Sequence, residues 1–162
     1  MRSLVTGGAG FIGSNLVVLL LEKGHEVIVI DNESSDAHEN FYWNDQTTQS
    51  KADITDFGAI RPLFDGVDYV FHLAAESRIQ PAILNPTYAT EVNVVGTCNV
   101  LQACREAGVK RVVYSSTSAA YGLTNTPPLS EDMPRDCLNA YSITMCAVED
   151  FVSMYYMLNG LE

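Results

Sequence analysis

Three glycines near the start of the chain, at positions 7, 10 and 13, have the spacing of a phosphate-binding loop. Glycine lets backbone N–H groups approach a phosphate without interference from a side chain, and a helix that begins inside the loop adds partial positive charge. A dinucleotide pyrophosphate is the ligand that this combination favours. A glycine turn with a purely structural role is the alternative that the spacing alone leaves open.

A carboxylate follows about twenty residues later, at Asp31, directly after the β-branched run 25–30. At that place a side chain can accept hydrogen bonds from the hydroxyls of an adenosine ribose. A 2′-phosphate would meet a like charge at Asp31, and no arginine or lysine lies between Lys23 and Lys51 to receive it. The sequence therefore favours NAD over NADP, against the alternative of a solvated acid at a strand end.

The elements that position these residues alternate along the chain. We predict strands over 3–6, 25–30, 47–52, 68–75 and 111–115, and helices over 11–21, 57–64, 85–107 and 139–158. Pro62 falls inside the second helix and weakens that prediction. The alternation predicts an α/β fold: a Rossmann-type, doubly wound parallel sheet of about five strands in one domain over 1–162.

Composition and charge disfavour several other classes of protein. Of the 162 residues 47% are hydrophobic, and the net charge of −11 would repel a nucleic acid backbone. The apolar stretch 11–21 is too short to span a bilayer and lacks a cleavage site, so we expect no membrane association. No metal site is expected, because the four cysteines lack zinc-binding spacing. We predict that they are reduced thiols in a cytoplasmic protein: Cys98, Cys104, Cys137 and Cys146.

Several residues allow two interpretations. The aromatic residues 41–43, within the polar segment 32–49, could cover an adenine ring or pack a loop onto the sheet. Asp53 could contact the adenine or, like Asp56, cap a helix or start a loop. His72 is interpreted as a hydrogen-bonded core histidine rather than a catalytic one. Asn93, among apolar neighbours, could equally face solvent or a ligand.

Short motifs along nearly the whole chain resemble the extended short-chain dehydrogenase/reductase superfamily. Within it, they are most similar to the NAD-dependent sugar-nucleotide epimerase/dehydratase family and its UDP-glucose 4-epimerase-like members. The matching positions are TGGAGFIGS at 6–14, DN at 31–32, DI at 53–54, HLAA at 72–75, Asn93, GT at 96–97, YSST at 114–117, YG at 121–122 and Tyr141.

The resemblance implies NAD as the cofactor and a role for each matching residue. It assigns the pyrophosphate to Gly7, Gly10, Phe11, Ile12 and Gly13, the adenosine ribose to Asp31 and Asn32, the adenine to Asp53 and Ile54, the middle of the cofactor to Leu73, Ala74 and Ala75, and the nicotinamide side to Asn93, Ser115 and Tyr141. By the same resemblance, Thr117 bonds the reacting sugar hydroxyl and Tyr141 is the general base. Family members oxidise a sugar hydroxyl by hydride transfer to NAD, and an epimerase returns the hydride to the opposite face.

Met145 departs from the Tyr-x-x-x-Lys pattern of the family. The lysine lowers the tyrosine pKa and bonds the nicotinamide ribose, whereas a thioether carries no charge and donates no hydrogen bond. At an effective dielectric of about 20, a cation about 5 Å away favours tyrosinate by about 3 kcal/mol, or about two pKa units. No arginine or lysine follows Arg135. We therefore expect this chain to be catalytically impaired.

A second departure is length. The resemblance implies further strands and a C-terminal domain for a UDP-sugar or related nucleotide sugar, and we expect that domain to be absent from this chain. The exposed strand edge at 111–115 would then favour a homo-oligomer. A non-catalytic NAD-binding or interaction protein is the alternative function. A sugar-nucleotide dehydratase is disfavoured, because Ser118 and Ala119 follow Thr117 where such enzymes place an acidic pair.

Overall fold

Five parallel strands form one sheet in the computed structural model, which describes residues 1–35 and 40–162. The strands are β1 (Arg2–Thr6), β2 (Glu26–Asp31), β3 (Thr48–Lys51), β4 (Tyr69–His72) and β5 (Arg111–Tyr114), in the spatial order β3-β2-β1-β4-β5. The prediction of a doubly wound parallel sheet is confirmed. Residues 36–39 of the predicted polar segment lie outside the described residues.

Helices connect the strands on both sides of the sheet. They are α1 (Phe11–Glu22), α2 (Phe57–Ile60), α3 (Ile79–Leu84), α4 (Pro86–Thr90), α5 (Thr97–Ala107) and α6 (Ala140–Asn159). Two short 3-10 helices cover Arg61–Phe64 and Ser118–Tyr121, and a π-helical turn, Glu91–Gly96, joins α4 to α5. Within the described part of the chain, no helix has the length and apolar character needed to cross a bilayer.

Alternate residues of the central strands pack against opposite helical layers, as the two-residue period of a strand requires. One layer contains α5 and α6, whose apolar side chains meet the strand residues Leu4, Ile28, Ile30 and Val70. The other contains α1, whose Val17 and Leu20 meet Val5, Val27 and Val29. Burial on both faces explains why these strands are almost continuously apolar.

The helices differ from the sequence-based prediction where backbone chemistry interrupts them. The predicted helix 57–64 is α2 followed by a 3-10 helix, because Pro62 has no N–H to donate. The predicted helix 85–107 begins with Asn85 as its N-cap and ends at Gly108, as expected, but contains the π-helical turn. Helix α3 was not predicted. The last helix starts after Asn139, which forms a capping box with Ser142.

Candidate functional site

A cavity of about 400 Å³ opens at the carboxyl ends of the parallel strands. Ligands of open α/β sheets bind at this edge, where the order of strands reverses. Most of the residues that the sequence singled out line the cavity together: Gly7, Gly10, Phe11, Ile12, Gly13, Asp31, Asn32, Ile54, Leu73, Ala74, Ala75, Ser115, Tyr141 and Met145. The sequence analysis assigned no role to Ser77, Val92 or Ser116, which also line it; Ser116 was named only as part of the YSST motif at 114–117.

The glycine loop between β1 and α1 leaves no space for a side chain at Gly7 or Gly13. Gly7 has a φ of +68°, and a Cβ there would lie 2.8 Å from the backbone nitrogen of Ala74. A Cβ on Gly13 would overlap the carbonyl oxygen of Gly7 and lie 2.6 Å from the Cα of Gly8. The loop, the start of α1 and the end of β4 are therefore packed backbone against backbone.

The amide groups of this loop fall into two sets. Those of Gly7, Ala9 and Gly10 donate to Ile30 O (2.8 Å), Asp31 Oδ2 (3.1 Å) and Gly7 O (3.3 Å). The amides of 11–13 belong to the first turn of α1, where no intrahelical acceptor exists, and the N-cap residue Gly10 has no side chain to bond them. The residues that carry these amides line the cavity, so three donors at a positive helix end are left for an anion.

Asp31 connects the glycine loop to the end of β2. Its side chain is buried, with 8% exposure, and accepts hydrogen bonds from the Ala9 amide through Oδ2 and from the Glu33 amide through Oδ1 at 2.8 Å. Each carboxylate oxygen can accept a further bond. Because Asp31 also lines the cavity, its carboxylate can hold the loop and still accept from a ligand hydroxyl.

Asp53 lies outside the lining of the cavity and is used within the protein. Its carboxylate accepts from the Thr55 amide (2.8 Å) and hydroxyl (2.7 Å) and from Asn32 Nδ2 (2.7 Å). Burial opposes ionisation of Asp53, but the hydrogen bonds from Thr55 and Asn32 lower its pKa below the ordinary value. In this structure Asp53 organises the turn after β3 and fixes Asn32, which lines the cavity.

Two side chains of the aromatic segment 41–43 lie in different places. Phe41 lines the cavity, as Ile54 and Ala52 do. Trp43 instead packs against the α1 layer of the core and donates its indole N–H to Glu33 Oε1 at 2.8 Å.

Tyr141 stands at the junction between the cavity and a shallower groove beside it. The groove is lined by Thr117, Ser118, Ala119 and the segment 77–81, which includes Arg78. Thr117 accepts a hydrogen bond from the Ala119 amide at 3.1 Å and keeps its hydroxyl hydrogen as a donor. The structure thus brings the phenol of Tyr141 and the hydroxyl of Thr117 to one groove.

Met145 lies one helical turn after Tyr141 and is 3% exposed. Its Sδ accepts from the Tyr114 hydroxyl at 3.2 Å. Burial, reinforced by the negative charge of Glu149, raises the pKa of Tyr114, which therefore stays protonated. No lysine or arginine is among the described residues that line the cavity. Arg135 is held by Glu149 (2.7 Å) and by Asp150 (3.0 Å).

Asn93 is buried, with 1% exposure, and lies outside the lining of the cavity. Its side chain accepts from the Glu76 amide at 2.8 Å and donates to Glu76 O (3.1 Å) and to the Thr144 hydroxyl (3.0 Å). It therefore ties the segment after β4 to helix α6, close to both Tyr141 and Met145.

His72 is the last residue of β4 and is confirmed as a hydrogen-bonded core histidine. Its Nδ1 is 2.6 Å from the Thr6 hydroxyl and its Nε2 is 2.8 Å from the Thr97 hydroxyl. Burial lowers its pKa from 6.5 to about 4, so the ring is neutral at physiological pH. The ring also stacks on Tyr114, with 5.9 Å between centroids. Across residues 1–35 and 40–162, no cluster of three or more His, Cys, Asp or Glu side chains could hold a metal.

Comparisons with known proteins agree with the family resemblance found in the sequence. A family model described as GDP-mannose 4,6 dehydratase matches residues 4–162. The UDP-glucose 4-epimerase of Mycolicibacterium smegmatis is 40% identical over 167 residues, which cover 100% of this chain and 53% of the relative. The chain spans about half the length of the curated relatives that it matches.

Solved structures show the same relation. The UDP-glucose 4-epimerase of Thermotoga maritima, determined with UDP-glucose, superposes with a TM-score of 0.93 at 34% identity, covering 99% of this chain and 53% of that one. The UDP-glucose 4-epimerase of Thermus thermophilus, a complex with NAD, superposes with a TM-score of 0.90 at 35% identity, covering 100% and 53%.

Proposed function

The chain belongs to the family that the GDP-mannose 4,6 dehydratase model describes, and we propose that it binds NAD as the cofactor-binding part of a UDP-glucose 4-epimerase-like enzyme. The observation that carries this proposal is the uncapped first turn of α1 beside the Asp31 carboxylate. The relatives solved with NAD and with UDP-glucose support it.

The residues of the cavity fit NAD in charge, shape and size. The amides of 11–13 can donate to the pyrophosphate, and the closeness of Gly7 to Ala74 keeps the backbone open where a Cβ would fill the space. Asp31 can accept from ribose hydroxyls and opposes a 2′-phosphate. A volume of about 400 Å³ lies within the range of cofactor and small-molecule sites.

The residues around Tyr141 fit proton transfer to or from a sugar hydroxyl. When bound, NAD supplies the hydride acceptor for oxidation of the carbon that bears this hydroxyl. Thr117 orients the hydroxyl from the groove, and the Tyr141 phenol exchanges its proton. Asn93 holds helix α6 against the segment after β4 and so fixes the position of Tyr141.

The proton-transfer step is the one that Met145 impairs. A tyrosine is an effective base at neutral pH only when a nearby cation stabilises tyrosinate. At position 145 a thioether takes the hydrogen bond of Tyr114 instead, and Arg135 is committed to two carboxylates. We propose that NAD binds to this chain while turnover is slow or absent. This chemistry also favours the second candidate function, an NAD-binding protein without catalysis.

Calorimetric titration of the chain with NAD and, in parallel, with NADP tests the proposal. We expect saturable binding of NAD and about tenfold weaker binding of NADP, because the 2′-phosphate approaches the Asp31 carboxylate. The absence of heat and of a thermal shift at millimolar NAD would refute both candidate functions.

A turnover assay separates the two candidates. The chain is incubated with NAD and UDP-glucose, and the formation of UDP-galactose is followed. We expect no product above background from the chain, and product only when a cation is restored by Met145→Lys in a chain extended by a C-terminal nucleotide-sugar domain. Rapid turnover by the unmodified chain would contradict the impairment, whereas silence of the extended Met145→Lys variant, with NAD still bound, would favour the non-catalytic function.

A further inference from the structure

Two cysteines meet beside the N-terminus of the helix that carries Tyr141. Cys137 lies two residues before the N-cap Asn139, and Cys146 lies in the second turn of α6. Their Sγ atoms are 3.1 Å apart, and Cys137 Sγ is also 3.6 Å from the Ser142 carbonyl oxygen. The pair therefore connects the segment before the capping box to the body of the helix.

The two thiols differ in accessibility. Cys137 is partly exposed, whereas Cys146 is buried, with 5% exposure. Burial, together with the neighbouring Cys137 and Glu149, raises the pKa of the Cys146 thiol, and Arg135 opposes this only in part. A reagent in solution thus reaches Cys137 first, and the buried Cys146 thiol lies within contact distance of Cys137.

We propose that Cys137 and Cys146 form a redox modification site, a dithiol that a low-molecular-weight disulfide such as oxidised glutathione converts into an intramolecular disulfide. Cys137, as thiolate, attacks one sulfur of the reagent and releases one glutathione thiolate, leaving a mixed disulfide. Cys146, as thiolate, then attacks the Cys137 sulfur and releases the second glutathione. Two protein thiols lose two electrons and two protons, and one reagent disulfide becomes two thiols.

The disulfide would fix the entry of α6. It joins the segment before Asn139 to the residue next to Met145, so the capping box and Tyr141 lie inside the closed loop. Closing this short loop restricts the unfolded chain, and we expect the midpoint of thermal unfolding to rise by about 5 °C.

The test treats the full chain with oxidised glutathione and analyses it by intact-mass and non-reducing peptide mass spectrometry. The proposal predicts a product lighter by two hydrogen atoms, with the Cys137 and Cys146 peptides joined, a higher unfolding midpoint, and reversal of both changes by dithiothreitol. A stable glutathione adduct in the unmodified chain, a cross-link through Cys98 or Cys104, or no oxidation would overturn it.

Single variants assign the two roles. Cys146→Ser should stop at a mixed disulfide on Cys137, and Cys137→Ser should react far more slowly, because only the buried Cys146 remains. Cys146→Ala gives a second test of the first role if the serine is not tolerated in the buried position. Cys98→Ser is the matched control and should form the same disulfide as the unmodified chain. Equal adduct formation on both single variants would contradict the assigned order of attack.

Discussion

The two ends of the cavity differ in what they require from the sequence. At the α1 end, binding groups are mostly backbone amides, which the glycine loop leaves free, together with the single carboxylate of Asp31. At the α6 end, the chemistry depends on side chains, and Met145 stands where the family pattern places a cation. We propose from this contrast that cofactor binding and proton transfer are separable: the α1 end can bind the cofactor although the α6 end lacks one charge.

The same packed core supports both ends of the cavity. The missing cation at the α6 end is therefore not the result of a disrupted fold. His72 joins β1 to α5 through Thr6 and Thr97, and its ring stacks on Tyr114, which in turn contacts Met145. The α6 end is therefore well packed although it lacks the cation.

The largest effect is expected at the α1 end, from Gly13→Ala. The new Cβ would overlap the Gly7 carbonyl oxygen, and this backbone atom cannot shift without distorting the loop. We expect a loss of about 3 kcal/mol or more in the free energy of unfolding, measured in urea, and loss of NAD binding. Gly58→Ala is the control, because its Cβ would have 3.5 Å to Asp56 Oδ1, and its change should stay below about 1 kcal/mol. Equal effects of both variants would contradict the packing of the loop.

The next largest effect is expected at the α6 end, from Met145→Lys compared with the neutral Met145→Leu. A cation at this position should favour tyrosinate by about 3 kcal/mol and lower the pH of its formation at Tyr141 by about two units. Ultraviolet absorbance measures tyrosinate, and subtraction of the matching Tyr141→Phe variant isolates this residue among the eight tyrosines. Identical titrations of the lysine and leucine variants would show that the missing charge does not distinguish the two ends.

A smaller effect tests the shared scaffold through pH. The pKa of His72 falls from 6.5 to about 4 on folding, so below pH 6.5 the unfolded state binds a proton that the folded state refuses, and stability is lost as the pH falls toward 4. This histidine alone should cost about 2 kcal/mol between pH 7 and pH 5. Unfolding in urea at both values should show that dependence reduced in His72→Gln and retained in His25→Gln. A dependence unchanged in His72→Gln would contradict the neutral, buried ring.

The smallest effect concerns cofactor selectivity at the α1 end. Asp31→Asn removes the negative charge and one acceptor of the ribose hydroxyls. We expect about tenfold weaker NAD binding, or about 1.4 kcal/mol, and a reduced preference over NADP. Asp45→Asn, at an exposed position, should leave both affinities unchanged. Calorimetry provides both affinities. An unchanged ratio of NAD to NADP affinity in Asp31→Asn would show that Asp31 does not determine the preference for NAD.

The sheet, the glycine loop and the place of Asp31 were predictable because they follow from local patterns. Apolar runs, glycine spacing and a strand-terminal acid all lie within short windows of sequence, and parallel strands bring their carboxyl ends together. The helix starts at Asn85 and Asn139 were predictable for the same reason, since an N-cap residue acts on the helix that follows it.

The features that escaped prediction depend on contacts between distant segments. The π-helical turn places Gly96 against Ile54, where a Cβ would lie 2.6 Å from the Ile54 side chain, and no local pattern encodes that approach. Asn93 finds its partners in Glu76 and Thr144. Helix α3 escaped prediction because Pro81 lies inside it, and a proline usually indicates that a helix is interrupted.

Amide NMR spectra recorded during a titration with NAD test the central claim most directly. The account predicts saturable shifts of the Phe11, Ile12 and Gly13 amides, which are the donors left free by the loop, with much smaller shifts in the Asp31→Asn variant at the same NAD concentration. Spectra in which these three amides do not respond to NAD, while the protein remains folded, would contradict it.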